Sequence, residues 1–375
     1  MIPPWLAIII VIGVIIGLIA FLVLYFSLPS RKSFDLTKKH AVVTGGSKGI
    51  GKQLALSLLS RGCNVSIIAR KEVDLRAACK ELQTVADQRG QNQKVRWYSL
   101  DLTKGYREVE YVFRLAEKEL GPVDALINNA GTSVQGAFED LPIEDFEKQV
   151  KVNYLSAIYA TRCVIKGMKA RRSGHISFVS SAAGQCAIYG YTAYAPTKFA
   201  LRGFADALQM ELSPYNVNVS VLYPPNTDTE GYKAELASMP EEVQLISETA
   251  GLFSPKEVAD AHVVSIEAGY YSTPIGLDGW MLREEENRRD LNARPLFTSL
   301  KQGVLINYCL DILTAGASPE RSMIDALTQI MLGGILRGVM LVYLGYFTGI
   351  VKKCYRRRLI ANELHGSLRI LDGKG

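Results

Sequence analysis

His40-Ala-Val-Val-Thr-Gly-Gly-Ser-Lys-Gly-Ile-Gly51 is the stretch that decides the fold. A short apolar run ends at Thr44, and Gly45, Gly49 and Gly51 follow it before a helical pattern begins. Glycines at such a junction permit a tight turn. They also let a pyrophosphate approach the N-terminus of the next helix, where free backbone N–H groups favour an anion. A glycine triplet alone is weak evidence, but this one follows a strand and opens a helix, as the dinucleotide fingerprint requires.

Outward from that turn, short apolar runs alternate with longer amphipathic ones. His40–Thr44, Asn64–Ala69, Val95–Leu100, Ala125–Asn128, His175–Ser180 and Asn218–Leu222 read as buried strands. The stretches near 50–61, 72–88, 105–119, 143–171, 195–213 and 255–269 read as helices. This alternation predicts an α/β fold, a Rossmann-like doubly wound parallel sheet with helices on both faces. One domain over residues 35–285 accounts for it, and no internal repeat is present.

The second strand ends at Ala69-Arg70-Lys71, where an NAD-binding chain carries an acid for the ribose 2′-hydroxyl. Arg70 stands there instead, and Lys48 lies inside the glycine turn. Two cations suit a 2′-phosphate, so the expected cofactor is NADPH/NADP+. Asp101 follows the third strand, placed to meet an adenine amino group. Asn128-Asn-Ala-Gly131 ends the fourth, where small residues let the backbone abut the cofactor.

Farther on, Ser181-Ala-Ala-Gly-Gln-Cys-Ala-Ile-Tyr-Gly-Tyr-Thr-Ala-Tyr-Ala-Pro-Thr-Lys198 supplies the chemistry. Tyr194 and Lys198 stand four apart, about one helical turn, on one face. A phenol ionises near ~10. A neighbouring ammonium would lower that value, making Tyr194 a general acid for a developing alkoxide. Ser181, at the end of the apolar run before it, can donate a hydrogen bond to the same oxygen.

Taken in order, T-G-x-x-x-G-x-G at 44–51, N-N-A-G at 128–131, Asn153, Ser181 and Y-x-x-x-K at 194–198 resemble the classical short-chain dehydrogenases/reductases. The resemblance implies that Tyr194 is the acid and that Lys198 lowers its pKa and holds the nicotinamide ribose. It also implies that Ser181 orients the carbonyl and Asn153 supports a proton-relay water. Cofactor contacts are implied at Gly45, Ser47, Lys48, Gly49, Ile50 and Gly51 of the turn, and at Arg70 and Lys71. Further contacts are implied at Asp101, Leu102, Asn129, Gly131, Tyr194, Lys198 and Thr229.

Within that superfamily, F-E-D-L at 138–141, A-L-Q-M-E at 207–211, L-I-S-E-T at 245–249 and Y-P-P-N-T-D-T at 223–229 look closest to the branch that reduces 3-ketodihydrosphingosine. The superfamily usually has Pro-Gly after the sixth strand; Pro225 takes the glycine position here. Asn226 replaces an Asp typical of that branch. The implied partner is a long-chain sphingoid ketone, with Asp228 and Glu230 as candidates, by position only, for its ammonium. Ala187–Tyr191 could line a cleft for the chain or belong to the core. A reductase of another lipophilic carbonyl (steroid, retinoid or long-chain 3-ketoacyl) would share every motif through Lys198. A catalytically silent membrane scaffold is disfavoured by the intact Ser181, Tyr194 and Lys198.

The ends predict a lipid membrane as a second partner. Trp5–Leu28 is uncharged and has the ~20-residue length of a bilayer span. No Lys or Arg precedes it, while Arg31, Lys32, Lys38 and Lys39 follow, which predicts an anchor over residues 1–30 and a cytosolic catalytic domain. Gly13 and Gly17 form a G-x-x-x-G through which two copies could associate, so a homo-oligomer is possible. Residues 286–375 read as a membrane-associated helical extension. Ile330–Val351 is apolar except for Arg337 and is followed by Lys352 and Lys353, which predicts a monotopic or re-entrant segment, or a hairpin with 302–317. The endoplasmic reticulum is implied by the resemblance alone.

The net charge of +6 clusters beside these apolar runs and forms no basic stripe with interleaved aromatics, which argues against nucleic acid. Six cysteines and four histidines show neither metal-ligand spacing nor a Ser-His-Asp arrangement, so reduced, structural thiols and no metal are expected.

Overall fold

The computed structural model describes residues 33–90, 92–248 and 251–275, with Leu18 and a few helical positions between 349 and 360. Seven strands form one parallel sheet: β1 (His40–Thr44), β2 (Asn64–Ala69), β3 (Val95–Ser99), β4 (Ala125–Asn128), β5 (Gly174–Val179), β6 (Val217–Tyr223) and β7 (Ser272–Pro274). Their order is β3-β2-β1-β4-β5-β6-β7. The order reverses between β1 and β4, where Val43 lies opposite both Ile67 and Ile127. A crevice at such a switch point, outside the carboxyl ends of the strands, is where open α/β sheets bind ligands.

The connecting helices are α1 (Gly49–Ser60), α2 (Glu72–Gln88), α3 (Tyr106–Leu120), α4 (Ile143–Gln149), α5 (Ser156–Arg171), α6 (Ala195–Leu212), α7 (Glu230–Leu236), α8 (Glu241–Ser247) and α9 (Pro255–Ala268). Two apolar layers sandwich the sheet. On one face α1, α2 and α9 bury Leu54, Leu58, Leu75 and Val263 against Val43 and Ile67. On the other, α3, α5 and α6 bury Phe113, Val164, Leu201 and Leu208 against Leu126, Ile176 and Val221. Side chains of this kind contribute roughly 1.5–3 kcal/mol each when fully buried, so the sheet is held mainly by these layers.

Helix α9 is capped at both ends. Ser254 accepts from the Glu257 N–H (3.1 Å), Pro255 takes the first helical position, and Gly269 closes the helix at φ +73°. It is fastened to the start of the domain. The Phe34 N–H donates to the Glu267 carbonyl at 3.0 Å, and Arg61 Nε meets Glu267 Oε2 at 2.8 Å.

Two features depart from the sequence expectation. The single helix expected over 143–171 is interrupted by a π-helical turn at Val150–Leu155, which carries Asn153. The chain also forms β7 and the short helices α7 and α8, none of which the apolar periodicity indicated. Three residues are too few to show a strand period.

The proposed anchor over 1–30 lies outside the described residues apart from Leu18, as do the hairpin at 302–317 and Arg337. Among the described residues no helix is long and apolar enough to cross a membrane. Of the run Ile330–Val351, Gly349 and Ile350 are described, and Ile350 is the buried one of the two. It is buried with Cys354 against Ile246 of α8 and Ile188, and Arg357 Nη1 meets Glu241 Oε1 at 3.3 Å.

Candidate active site

The cleft opens over the carboxyl ends of β1, β4 and β5 and has a volume of about 650 Å³, in the usual range for a ligand site. Its floor is the glycine turn. Gly45 sits at φ +65° and Gly49 at φ +52°, backbone positions that a side chain rarely adopts. A Cβ on Gly51 would lie 2.3 Å from the Gly45 carbonyl oxygen and 2.4 Å from Asn129 Nδ2, so nothing larger than hydrogen fits. Thr44 binds this turn to the end of β4, because its Oγ1 accepts from the N–H groups of Asn129 (3.0 Å) and Ala130 (3.1 Å). Asn129 Nδ2 donates back to the Thr44 carbonyl at 2.9 Å. A bare, glycine-lined cradle at a helix N-terminus fits a dinucleotide pyrophosphate.

Ser47, Ile50, Arg70, Lys71, Leu102 and Gly131 all line the same cleft. Lys48 Nζ is held 3.2 Å from Asp74 and 3.0 Å from Glu230. Asp101, at the far end, folds its Oδ1 onto Thr103, accepting from its N–H (3.0 Å) and its hydroxyl (2.8 Å). Thr229 caps α7 by accepting from the Tyr232 N–H at 3.0 Å, and its methyl group borders Gly49.

At the other end, Tyr194 immediately precedes α6 and Lys198 lies one turn inside it. The Ser180 hydroxyl donates to the Lys198 carbonyl at 2.9 Å, joining the end of β5 to the first turn of α6. Ser181 follows as the cap of a short 3-10 turn, accepting from the Ala183 N–H at 3.2 Å, and its hydroxyl is hydrogen-bonded to the Tyr194 phenol. Lys198 is buried (4 % exposed), and its Nζ donates to the Val179 carbonyl at 3.0 Å. Nζ also lies 5.6 Å from the centroid of the Tyr194 ring. A Cβ on Gly131 would come within 3.3 Å of Nζ and 3.2 Å of Asn153 Oδ1, so Gly131 makes room for both side chains.

The electrostatics differ from the expectation that Lys198 depresses the Tyr194 pKa. Burial pushes the phenol up, the Ser181 hydrogen bond opposes it, and the charge of Glu235 adds to the rise. Burial also pulls Lys198 down to about 8, against the attraction of Glu235. Desolvation is the largest cause of both shifts, and the ammonium is turned to the backbone carbonyl of Val179. A phenol held protonated at neutral pH is the form that can donate a proton.

Asn153 is buried in the π turn and its side chain is a hub. Oδ1 accepts from the Thr132 N–H (2.8 Å), and Nδ2 lies within hydrogen-bond reach of the Thr132 carbonyl (3.0 Å), Gln149 Oε1 (2.9 Å) and Thr197 Oγ1 (3.0 Å). It thereby joins the loop after β4 to the helix that carries Lys198.

Asn226 is occupied in a way that an Asp could not reproduce. Its Nδ2 donates to the Ser247 carbonyl (2.7 Å) while its Oδ1 accepts from the Ser247 hydroxyl (3.0 Å). A carboxylate lacks the donor. Neither carboxylate expected to meet a substrate ammonium is free for it: Asp228 is 2.9 Å from Lys233, and Glu230 is on Lys48.

Sequence reasoning missed Gln149, Thr197 and Glu235. Gln149 and Thr197 sit four and one residues from recognised positions, a spacing that could have found them. Glu235, in E-G-Y-K-A-E-L, carries no signal beyond that of an exposed helix. Within the apolar run 187–191, Ile188 and Tyr191 line the cleft. Among the described residues Cys63, Cys79, Cys163, Cys186 and Cys354 are free thiols and no metal-ligating group is found.

A family model described as short chain dehydrogenase matches residues 39–239. A 3-dehydrosphinganine reductase of Danio rerio is 42% identical over 349 residues, covering 93% of this chain and 96% of its own length. A 3-ketodihydrosphingosine reductase of Bos taurus is 41% identical over 347 residues, covering 91% and 95%. One of Mus musculus is 41% identical over 343 residues, covering 90% and 94%.

Proposed function

We propose, from the premise that this chain belongs to the short-chain dehydrogenase family, that it reduces 3-ketodihydrosphingosine to dihydrosphingosine at the expense of NADPH. The observation that carries the substrate is the near-full-length similarity to reductases named for that ketone, which extends well past the family's common motifs. The chain is an oxidoreductase, and its family uses a nicotinamide cofactor. The choice of NADPH is supported by Lys48 and Arg70 at the ribose end of the cleft and by the lack of an acid at the end of β2.

When bound, the nicotinamide supplies the hydride. The chain's own residues do the rest. Ser181 and Tyr194 hold the ketone oxygen from one side, and Tyr194 delivers its phenolic proton there as negative charge builds. The ketone thus gains a hydride and a proton, and solvent must restore the proton to Tyr194. Interactions that strengthen as that charge develops accelerate the reaction most, and this is where the Lys198 charge stabilises the phenolate left behind. Gly45, Gly51 and the N-terminus of α1 would hold the pyrophosphate, and Asn153 keeps the loop after β4 and α6 in register.

The proposal extends to place. The uncharged run Trp5–Leu28 and the basic residues after it support an anchor with the catalytic domain on the cytosolic side. The endoplasmic reticulum membrane follows from the family resemblance. The test is NADPH oxidation by membranes carrying the chain, with 3-ketodihydrosphingosine in detergent and the product identified by mass spectrometry. Formation of dihydrosphingosine by wild type but not by Tyr194→Phe supports the reading. NADPH binding without turnover of this ketone would remove the substrate and leave the family.

A further inference from the structure

Four carboxylates line the cleft among the described residues: Asp74, Asp101, Glu230 and Glu235. Three have other occupations. Asp74 and Glu230 hold Lys48, and Asp101 closes on Thr103 at the adenine end. Glu235 alone sits at the Tyr194 end. Gln135 Nε2 lies 3.4 Å from Glu235 Oε2 and 3.4 Å from Tyr191 Oη. The Tyr191 ring in turn packs edge-on to Tyr194, with centroids 5.5 Å apart. Glu235 is close enough for its charge to act on Tyr191, Tyr194 and Lys198 alike.

We infer that Glu235 is the carboxylate that receives the ammonium of the substrate, two bonds from the carbonyl carbon that Tyr194 serves. This rests on the sphingoid reading of the substrate and deepens it. In a 2-amino-3-ketone the amino nitrogen lies on the carbon next to the carbonyl. An oxygen fixed by Ser181 and Tyr194 therefore leaves the nitrogen only a few ångströms of latitude. The acid it needs must stand beside Tyr194 without belonging to the proton-transfer group, and Glu235 meets both conditions. Burial pushes its carboxyl up to about 7, with Lys198 pulling the other way, so at neutral pH it is only partly ionised until a cation arrives. An arriving ammonium favours the ionised carboxylate and pairs with it. The Gln135 amide fixes the carboxylate in place without neutralising it.

The reading also explains a division of labour in the short helix α7. Lys233 takes Asp228 and Glu230 takes Lys48, while Glu235 keeps to the cleft. Glu230 serves Lys48, the cation assigned to the cofactor's phosphate, and Glu235 is left to the substrate's ammonium.

The experiment compares 3-ketodihydrosphingosine with its 2-deamino counterpart, the 1-hydroxy-3-ketone of the same chain length, on the full-length chain in detergent. A partly buried charge-assisted contact is worth roughly ten- to hundredfold in kcat/KM. Wild type should favour the amino ketone by about that factor. Glu235→Gln should lower kcat/KM for the amino ketone at least about tenfold more than for the deamino ketone, mainly through KM. Glu235→Asp should retain part of the preference, and it carries the same comparison if the Gln variant does not fold. Equal losses on both ketones would show that Glu235 acts through Lys198 or Tyr194 and would overturn the inference, as would a wild type indifferent to the amino group. A wild type that reduces neither ketone yet binds NADPH removes the substrate reading itself, a different failure from either.

Discussion

Glu230 reaches across the glycine turn to Lys48, 3.0 Å away. The acid that the sequence offers to a substrate ammonium is thus held by the cation assigned to the cofactor's 2′-phosphate. The pair is exposed, with Lys48 about half accessible, and such contacts are individually weak. Glu230→Gln should therefore leave Lys48 with Asp74 alone and lower KM for NADPH by roughly two- to fivefold. Lys48→Ala combined with Arg70→Ala should shift the preference towards NADH by tenfold or more, read from kcat/KM with each cofactor.

Tyr194→Phe removes the hydroxyl that is hydrogen-bonded to Ser181 and leaves the apolar shape of the ring. General acid catalysis of this kind contributes about 10²–10⁴ in rate, so kcat should fall by that factor. A rapid-quench measurement at saturating NADPH and ketone checks it; a loss below about tenfold would move the proton donor elsewhere.

Two glycines should respond in opposite directions. Gly51→Ala puts a methyl group 2.3 Å from the Gly45 carbonyl and should cost roughly 1–3 kcal/mol while abolishing NADPH binding. Gly203 lies exposed within α6 with nothing within 4 Å of its would-be Cβ. Gly203→Ala should stabilise by about 0.5–1 kcal/mol. Thermal melts with and without NADPH report both.

Asn153→Ala should cut the ties from the π turn to Thr132 and Thr197 together. Each lost buried partner costs roughly 1–3 kcal/mol, so the melting temperature should fall along with kcat. Asn153→Asp keeps the acceptor to Thr132 but buries a carboxylate against the Thr132 carbonyl and Gln149 Oε1, and should cost at least as much stability.

His175 and His262 predict an acid limit. Both are fully buried; His175 Nε2 meets Ser220 (2.7 Å), and His262 bridges Ser177 (2.5 Å) and Thr273 (2.8 Å). Burial pulls both to about 3, below the unfolded value near ~6.5. The unfolded chain then binds protons that the fold refuses. The stability contribution is complete above pH ~6.5 and is lost as pH falls towards 3, by up to about 1.4 kcal/mol per pH unit for each histidine. Urea melts between pH 7 and 5 should show this slope, and His262→Gln should reduce it by close to one proton.

The strands that bury both faces were legible because each is a continuous apolar run bounded by turn residues, as at His40–Thr44 and Ala125–Asn128. Ser181, Tyr194 and Lys198 were legible because local spacing and one helix bring them together. Glu235 was not, since what makes it part of the cleft is the path from β6 through α7, fixed by Asn226, Ser247 and Thr229. The break in the long helix at Asn153 was equally hidden, because its cause is tertiary: Thr132 and Thr197 compete for that side chain from distant parts of the chain. The direction of the Tyr194 shift was misread for a related reason, burial being a property of the fold and not of spacing.

The fastening of Phe34 to Glu267 has a consequence for how the molecule is made. Helix α1 leaves the ribosome early, yet its covering partner α9 follows some two hundred residues later. At ~5–20 residues per second the apolar side of Leu54 and Leu58 waits on the order of 10–40 s for Val263. Nascent chains of this protein therefore depend on transient shielding during translation. A stop codon anywhere before α9 leaves that surface bare for good, marking the product for degradation rather than yielding a smaller working enzyme.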